Sequence, residues 1–284
     1  MKSVAIIGTG LIGASFGLAL RKAGFEGPIV GVSSERAIAE ALAIGAIDCA
    51  ATLAEAVGAE GALIFLAQPI GRILDTIRHL DRLVRPDAMV TDAGSTKCEI
   101  ADLALQQIRR CQFLGGHPMA GKERRGAAAA DADLFQGATW VLTPEDAADL
   151  RTDAAIDLVH WLRRMGAKPL AMDPEEHDRV VALTSHLAQL ASTALASTVA
   201  EQLDPPERLA VAGSGLTDMT RLALSSYDLW RDILATNTEP IERALAVYIQ
   251  KLEHMRENLR TRQLQEEFER GAILAGRLRR PNLG

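Results

Sequence analysis

Three glycines directly after a short apolar run are the strongest constraint on the fold of this chain. Ser3–Ile7 is typical of a buried strand, and the glycines follow it in the spacing G-x-G-x-x-G, before an apolar helical stretch. Gly8 permits a tight turn, Gly10 lets a pyrophosphate approach the backbone, and Gly13 allows close packing of helix on strand. The pattern predicts a dinucleotide-binding turn, with a plain strand-to-helix turn as the alternative. The expected cofactor contacts are Gly8, Thr9, Gly10, Leu11, Ile12 and Gly13.

The second apolar run, residues 28–32, ends in serines where an acid is common. An acid at this point of a dinucleotide-binding fold takes the ribose 2′-hydroxyl of NAD, whereas a small residue with a nearby arginine accommodates the 2′-phosphate of NADP. Ser33, Ser34 and Arg36 supply the second arrangement. We therefore expect NADP to be favoured, and Glu35 in the same turn keeps NAD open. The alternative for Arg36 is a solvated position in the first turn of the next helix.

Apolar runs alternate with helical segments through the first half of the chain. Residues 61–67 and 88–92 are further strand candidates, and the alternation predicts a doubly wound parallel sheet, the Rossmann class of α/β fold. Ligands of such sheets lie at the carboxyl ends of the strands. Ser95 follows one of these strands, and we expect it either to contact a ligand or, equally, to be the N-cap of the helix that begins near Lys97. The other candidates at these ends are Ala67, Gln68 and Pro69.

A histidine between glycines and a proline is the most distinctive local pattern. In Gly115-Gly116-His117-Pro118 the glycines let the main chain bend and approach a ligand, and the proline biases His117 away from helix. We expect a rigid turn that presents one imidazole. A loop histidine is more often a hydrogen-bonding spacer than a catalyst, so the catalytic interpretation depends on the rest of the chain.

The strand–helix alternation stops near Met172, and long helices follow. Asp173-Pro174 is an N-cap with a first-turn proline, and residues 175–203 are apolar on nearly every face of a helix. Burial against a second copy explains such a helix, so a homodimer is expected, with the core helix of a monomer as the alternative. We expect a dinucleotide-binding domain at residues 1–171 and an all-α dimerisation and substrate domain at 172–284. Further helices are predicted near 206–211, 217–224, 240–260 and 264–278.

Composition argues against several classes of protein. The 284 residues carry a net charge of −6 and are 24% charged, which is ordinary for a soluble globular protein and unlike a basic nucleic-acid-binding protein. No run approaches the ~20 apolar residues that span a bilayer. Cys49, Cys98 and Cys111 are scattered and lack metal-ligand spacing. We therefore expect a cytoplasmic protein with no metal, membrane or nucleic-acid partner.

Five blocks of sequence occur in one order along nearly the whole chain. They are the glycine pattern at 8–13, TDAGSTK at 91–97, GGHPMAG at 115–121, TSHL at 184–187 and SGLTDMTR at 214–221. In this order they resemble the prephenate/arogenate (cyclohexadienyl) dehydrogenases of tyrosine biosynthesis. The resemblance implies a Rossmann domain, a helical dimerisation domain and an active site between them. It also implies oxidative decarboxylation of arogenate, prephenate or both with hydride transfer to NAD(P), giving tyrosine or 4-hydroxyphenylpyruvate.

The resemblance also implies roles for single residues. His117 matches the family's proton acceptor at the C4 hydroxyl of the substrate, a role that suits a neutral imidazole, and Ser95 assists at that hydroxyl. Arg221 matches a carboxylate-binding arginine, because its fork pairs with a carboxylate in bidentate fashion. The alternative for Arg221 is a surface pair with Asp218. The other expected substrate contacts are His186, Gln189, Glu123 and Asp218.

Gln189 departs from the family pattern. Many prephenate-preferring members read HLPH where this chain reads HLAQ at 186–189, so a neutral amide replaces a second histidine of the substrate pocket. This difference leaves arogenate, prephenate or both open as the substrate.

Two other functions share part of the pattern. A β-hydroxyacid dehydrogenase or imine reductase has the same two-domain plan, but the hydroxyacid enzymes use a lysine in the long helix of the second domain, and none lies between Lys168 and Lys251. A non-catalytic NADP-sensing protein has no need of His117, Ser95 and Arg221 together. Oxidative decarboxylation is therefore the favoured function.

Overall fold

The first half of the chain forms a parallel sheet flanked by helices. The computed structural model describes residues 1–122, 124–204, 206–261 and 263–279. The strands are β1 (Ser3–Ile7), β2 (Ile29–Val32), β3 (Cys49–Ala50), β4 (Ala62–Leu66), β5 (Met89–Asp92) and β6 (Gln112–Phe113). The helices between them are α1 (Leu11–Lys22), α2 (Glu35–Ala43), α3 (Leu53–Val57), α4 (Ile70–Leu80) and α5 (Cys98–Gln107).

The strand order confirms the predicted doubly wound sheet. The order is β3-β2-β1-β4-β5-β6, and all five neighbouring pairs are parallel. Side chains alternate across β1, so Val4 and Ile6 pack with α1 on one face, while Ala5 and Ile7 pack with α4 and α5 on the other. The order reverses between β1 and β4, which is where a ligand of such a sheet binds.

A second, three-stranded sheet contains the histidine block. Its strands are β7 (Gly115–Pro118), β8 (Thr139–Thr143) and β9 (Lys168–Ala171), and α6 (Asp153–Arg164) lies between the last two. The expected turn at His117 is therefore wrong, because this residue is paired with Val141 in an antiparallel ladder. Packing requires the glycines: a Cβ on Gly115 would lie 2.2 Å from the Thr143 hydroxyl, and one on Gly116 would lie 2.6 Å from the Asp92 carbonyl oxygen.

From Pro174 onward the described residues are largely helical. One continuous segment runs from α7 (Pro174–Val181) through a π-helical turn (Ala182–His186) into α8 (Leu187–Gln202). The carboxylate of Asp173 caps α7 by accepting from Glu176 N at 2.6 Å, as expected. The other helices are α9 (Ser214–Thr220), α10 (Tyr227–Thr236), α11 (Thr238–Asn258) and α12 (Gln265–Arg279), with 3-10 turns at Pro206–Val211 and Arg221–Leu224.

Two details differ from the expectations for this half. α10 is not predicted by the sequence pattern, and the helix expected at 217–224 is divided at Thr220. Among the described helices, segment 174–202 is long and apolar enough to cross a membrane by length and composition, since an 18-residue window within it has a mean hydropathy of 1.2. The expectation that no segment meets this standard is therefore wrong, although the same helix contains the buried polar residues His177, Asp178 and His186.

Carboxylates of the helical half cap two helices of the sheet half. Asp178 of α7 accepts hydrogen bonds from the backbone N–H groups of Lys97, at 2.7 Å, and Cys98, at 2.9 Å, where α5 begins. Asp232 of α10 accepts from Gly71 N in the first turn of α4 at 3.1 Å. A carboxylate here satisfies N–H groups that lack a partner in the helix and offsets the positive end of the helix dipole. These caps tie the two halves together at the strand ends where the site lies.

We expect Gly13→Ala to destabilise the protein. A Cβ at this position would lie 2.0 Å from the carbonyl oxygen of Gly8 and 2.8 Å from Cγ2 of Ile6, and overpacking of this kind costs about 1–3 kcal/mol. Gly10→Ala is the matched control, because no atom lies within 4 Å of its Cβ position. Thermal unfolding should show a lower Tm for Gly13→Ala and a near wild-type Tm for Gly10→Ala, whose effect is instead weaker cofactor binding. Equal Tm values for the two variants would contradict the packing argument.

Candidate active site

The turn after β1 has the geometry of a dinucleotide cradle. Gly8 has a φ of +100°, and a Cβ there would lie 2.5 Å from the carbonyl oxygen of Ala67, so this turn packs directly on the loop after β4. The Cβ position of Gly10 faces open space at the N-terminus of α1. N–H groups of a first helical turn bind phosphate in such a space, so the residues present fit a dinucleotide.

The neighbouring candidates differ in what they offer a cofactor. Thr9 is fully buried beneath the turn. The side chain of Gln68 lies beside Gly8 and accepts a hydrogen bond from the Thr76 hydroxyl at 2.8 Å. Pro69 is the N-cap residue of α4 and is exposed.

At the end of β2 the serines and the arginine lie on the surface. Ser33 is exposed, and the Ser34 hydroxyl caps α2 by accepting from Ala37 N at 3.4 Å. Arg36 is in the first turn of α2, and its Nε lies 2.9 Å from Oε1 of Glu40. The arginine side chain is 90% exposed, so this ion pair contributes little and leaves the guanidinium able to reorient.

His117 is the last member of a chain of hydrogen bonds that starts at Asp178. Nδ1 of His117 lies 2.8 Å from Nε2 of His177, and Nδ1 of His177 lies 2.7 Å from Oδ1 of Asp178. A carboxylate only accepts, so His177 donates from Nδ1, and in its neutral form the ring then accepts at Nε2 from Nδ1 of His117. The lone pair of His117 is therefore on Nε2, which is the ring atom left to take a proton.

The buried ion pair of Lys97 and Asp92 holds the strand that carries His117. Nζ of Lys97 contacts Oδ2 of Asp92 and donates to the carbonyl of Gly116 at 2.9 Å. Oδ1 of Asp92 accepts from Gly116 N at 3.0 Å, so the pair binds both backbone groups of this glycine. Both charged side chains are fully buried. Charge-assisted hydrogen bonds thus fix the backbone of Gly116, the residue before His117.

The surroundings keep the two site histidines neutral. Burial lowers the pKa of His117 well below its ordinary value, and His177, Lys97 and His186 lower it further. Burial lowers the pKa of His186 to about 4, although Asp178 opposes this shift. Burial alone would raise the pKa of Asp178, but hydrogen bonds from His177 and from the N–H groups of Cys98 and Lys97 outweigh it and lower the pKa. At neutral pH His117 and His186 are therefore neutral, beside the ionised carboxylate of Asp178.

His186 lies at the end of the π-helical turn and is almost completely buried. Its Nδ1 is 3.1 Å from Nδ2 of Asn237, and that amide nitrogen also donates to the backbone carbonyl of Asp178 at 2.9 Å. The ring meets Trp230 edge to face at 5.7 Å between centroids. His117 and His186 are both linked to Asp178 by hydrogen bonds, the first through His177 and the second through Asn237, so both predicted histidines belong to one network.

Gln189 is buried one helical turn beyond His186. Its amide nitrogen donates to the carbonyl of Leu222 at 2.8 Å and to the Thr193 hydroxyl at 3.2 Å. Both N–H groups are thus used within the protein, so only the carbonyl oxygen of Gln189 is left for a substrate. The residue supports the turn that begins with Arg221, whose side chain is exposed.

Three other candidates are placed as follows. Asp218 is exposed on α9, and Glu123 lies outside the described residues. Ser95 is half-buried in the loop between β5 and α5. Its alternative role as the N-cap of α5 is wrong, because Lys97 is the N-cap residue and the carboxylate of Asp178 receives the N–H groups there.

Several residues of this network are not identified by the sequence patterns. The TDAGSTK block contains two of them beside Ser95, and the adjacent histidine and aspartate after the N-cap of α7 are a polar pair in an otherwise apolar helix. The asparagine between α10 and α11 has no sequence signal of its own. The missed residues are Asp92, Lys97, His177, Asp178 and Asn237.

A glycine turn on a doubly wound sheet, together with a hydrogen-bonded histidine that can take a proton, is typical of a nicotinamide-dependent dehydrogenase. Two family models match the chain. The model of the prephenate dehydrogenase nucleotide-binding domain matches residues 16–168, and the model of the prephenate dehydrogenase dimerization domain matches residues 173–271. The chain therefore belongs to the prephenate dehydrogenase family, and its second half is the family's dimerization domain.

Individual relatives support this assignment. The chain is 35% identical over 260 residues to the prephenate dehydrogenase of Bacillus subtilis, which is 89% of this chain and 69% of the relative. The prephenate dehydrogenase of Aquifex aeolicus, in complex with hydroxyphenyl propionate and NAD+, superposes with a TM-score of 0.84 at 28% identity, covering 98% of each chain. The arogenate dehydrogenase of Synechocystis superposes with a TM-score of 0.77 at 30% identity, again covering 98% of each.

The protein is thus an oxidoreductase of tyrosine biosynthesis. It performs NAD(P)-linked oxidative decarboxylation, giving tyrosine or 4-hydroxyphenylpyruvate. This membership favours the expected reaction over the hydroxyacid dehydrogenase, imine reductase and NADP-sensing alternatives.

Proposed function

We propose that His117 is the general base of this reaction and that Nε2 is its proton acceptor. The observation that carries the proposal is the hydrogen-bond chain from Asp178 through His177, which leaves the lone pair of His117 on Nε2. A bound nicotinamide supplies the hydride acceptor for C4 of the substrate. His117 takes the proton of the C4 hydroxyl, and the negative charge of Asp178 stabilises the cation that His117 becomes.

The other roles are those that the family resemblance implies. Ser95, whose hydroxyl is not used for capping, assists His117 at the C4 hydroxyl. Arg221 binds a substrate carboxylate, and His186 contributes a ring N–H. Asp218 and Glu123 match, by sequence, the gating acids of some family members. The cofactor lies along the glycine turn, with Ala67, Gln68 and Pro69 beside it and Ser33, Ser34 and Arg36 around its ribose.

We expect His117→Asn to lower kcat by about 10² or more, because general-base help of this kind is worth about 10² to 10⁴ in rate. Cofactor Kd and Tm should stay near their wild-type values, since asparagine keeps a polar group of similar size. His160→Asn is the control, because His160 is an exposed histidine of α6 and its loss should leave kcat unchanged. Turnover by His117→Asn within threefold of wild type would remove His117 from the mechanism.

The helical half, residues 172–284, forms a homodimer, and residues 1–171 bind the cofactor. Large apolar side chains of the helical half are strongly exposed in one copy, with Val211 at 88%, Leu224 at 83% and Leu278 at 77%. Only 28% of the most apolar stretch of segment 174–202 is buried. A second copy covers such surfaces, so no membrane is needed to explain them. Three free cysteines and a net charge of −6 support a cytoplasmic protein that does not bind nucleic acid.

NADP is the favoured cofactor, and NAD, which the Aquifex aeolicus relative binds, is the other. The small, exposed Ser33 leaves room for a 2′-phosphate, and Arg36 forms an exposed surface pair with Glu40. We expect Ser33→Asp to shift the ratio of kcat/KM values toward NAD by about tenfold or more, because a carboxylate repels the phosphate and accepts from the ribose hydroxyl. Glu40→Gln, which frees Arg36, should not shift the ratio toward NAD. A wild-type preference for NAD would show this proposal to be wrong.

The enzyme accepts arogenate at least as well as prephenate. No cation is supplied at position 189, because the Gln189 amide is neutral and its N–H groups are bound by Thr193 and Leu222. The side chain of prephenate carries an uncompensated carboxylate, whereas that of arogenate is balanced by its own ammonium. The turn bearing Arg221 begins beside this position.

We expect Gln189→His to raise kcat/KM for prephenate relative to arogenate, most strongly below about pH 6.5, where an unperturbed imidazole is charged. Assays of both substrates with both cofactors measure this ratio across pH. Gln189→Met is the matched control, since it has similar length and no charge, and its substrate ratio should not depend on pH. A wild-type enzyme that turns over prephenate and ignores arogenate, or a ratio that the histidine does not move, contradicts the proposal.

A further inference from the structure

Asn237 joins α10 to α11 and is 2% exposed. One terminal atom of its side chain lies 2.9 Å from the backbone carbonyl oxygen of Asp178 and 3.1 Å from Nδ1 of His186. A carbonyl oxygen only accepts hydrogen bonds, so the atom beside it is the amide nitrogen and not the amide oxygen. The hydrogen bond to Asp178 thus fixes the direction in which the Asn237 amide faces His186.

The direction of this amide decides the tautomer of His186. An amide nitrogen has two hydrogens and no lone pair to offer, so Nδ1 of His186 must accept. A proton on Nδ1 would set two donors against each other across 3.1 Å in a buried place. The neutral ring therefore carries its hydrogen on Nε2, and the lowering of the His186 pKa to about 4 by burial agrees with a neutral ring.

The π-helical turn makes this contact possible. Asp178 and His186 are eight residues apart, which in a regular α-helix would leave them about 80° apart around the axis. A π-helical turn holds about one more residue than an α-helical turn. The turn at Ala182–His186 removes much of that offset, so that one amide of Asn237 reaches both residues.

His117 and His186 are thus held in opposite tautomers, and both tautomers depend on Asp178. The side-chain carboxylate of Asp178 acts through His177 and leaves Nε2 of His117 as an acceptor. The backbone carbonyl of Asp178 acts through Asn237 and leaves Nε2 of His186 as a donor. Nε2 of His117 can accept a proton from one oxygen of a substrate, while Nε2–H of His186 can donate a hydrogen bond to another oxygen.

We infer that Asn237 is a positioning residue, which holds His186 as the Nε2–H tautomer so that this ring donates a hydrogen bond to an oxygen of the substrate. The inference rests on the proposed function only in its last step, the contact with substrate. The tautomer itself follows from the hydrogen bonds of the protein.

The tautomer can be observed directly by long-range ¹H–¹⁵N NMR of protein labelled at histidine, with His186→Gln to assign the signal. The wild-type ring should show a protonated Nε2 and an unprotonated Nδ1 between pH 6 and 8. A wild-type proton on Nδ1 of His186 overturns the inference. This measurement does not use activity, so it is independent of whether His117 is the base.

Asn237→Asp tests the consequence for the reaction. Its carboxylate accepts where the amide donated, so the neutral His186 ring should carry its hydrogen on Nδ1 instead of Nε2, and the ring should titrate at higher pH. Removing one fixed hydrogen-bond donor should lower kcat/KM for the ring substrate about tenfold, while KM for the cofactor stays within twofold. An unchanged tautomer and unchanged kcat/KM overturn the inference, and the wild-type spectrum decides it if this variant does not fold.

Asn258→Asp is the matched control, at the opposite end of α11 from Asn237. The amide nitrogen of Asn258 lies 3.3 Å from Nδ1 of His254 and 2.9 Å from the carbonyl of His254, at the exposed end of α11. Water can satisfy that ring, so this variant should change neither the signal of His186 nor kcat/KM. A loss of activity from Asn258→Asp equal to that from Asn237→Asp would show a general effect of negative charge on α11 and overturn the specific role.

Discussion

The carboxylate of Asp178 is the group on which the rest of the site depends. It accepts from two backbone N–H groups at the start of α5 and from the ring of His177. Each of these hydrogen bonds favours the ionised carboxyl, which explains why its pKa is low despite burial. One buried charge therefore caps a helix of the sheet half, orients a histidine of the helical half and sets the tautomer of the proposed base.

The ion pair of Lys97 and Asp92 serves geometry more than stability. Two fully buried charges lose their hydration, so such a pair is weak evidence for a net gain in folding free energy. Its value lies in the hydrogen bonds that bind both backbone groups of Gly116. These bonds are formed only if residue 116 has no side chain, because a Cβ would contact Asp92 and Thr91. Gly116 of the histidine block is thus needed for close packing on the ion pair. The sequence alone had predicted that the glycines form a turn.

The parts of the fold that depend on local sequence were predictable. The glycine turn, the strands of the parallel sheet and the N-cap at Asp173 each have a signal within a few residues. α10 has none: its Trp230 and Ile233 pack on the core beside α4, so its apolar face is defined by the other half of the chain. The hydrogen bonds that join Asp178 to Cys98 and Asn237 to His186 span 80 and 51 residues. No local pattern specifies such pairs, which is why His117 and His186 could be predicted and the residues that orient them could not.

These long-range hydrogen bonds make the tautomer of His117 depend on the position of the helical half. His117 belongs to the sheet half, but its tautomer is set by His177 and Asp178 from α7, and α7 is held in place by the cap on α5. A movement that separated the halves would break the cap and the histidine chain together, since one carboxylate makes both. His117 would then lose the hydrogen bond at Nδ1 that keeps its lone pair on Nε2. The proposed base is therefore assembled only when the two halves are docked.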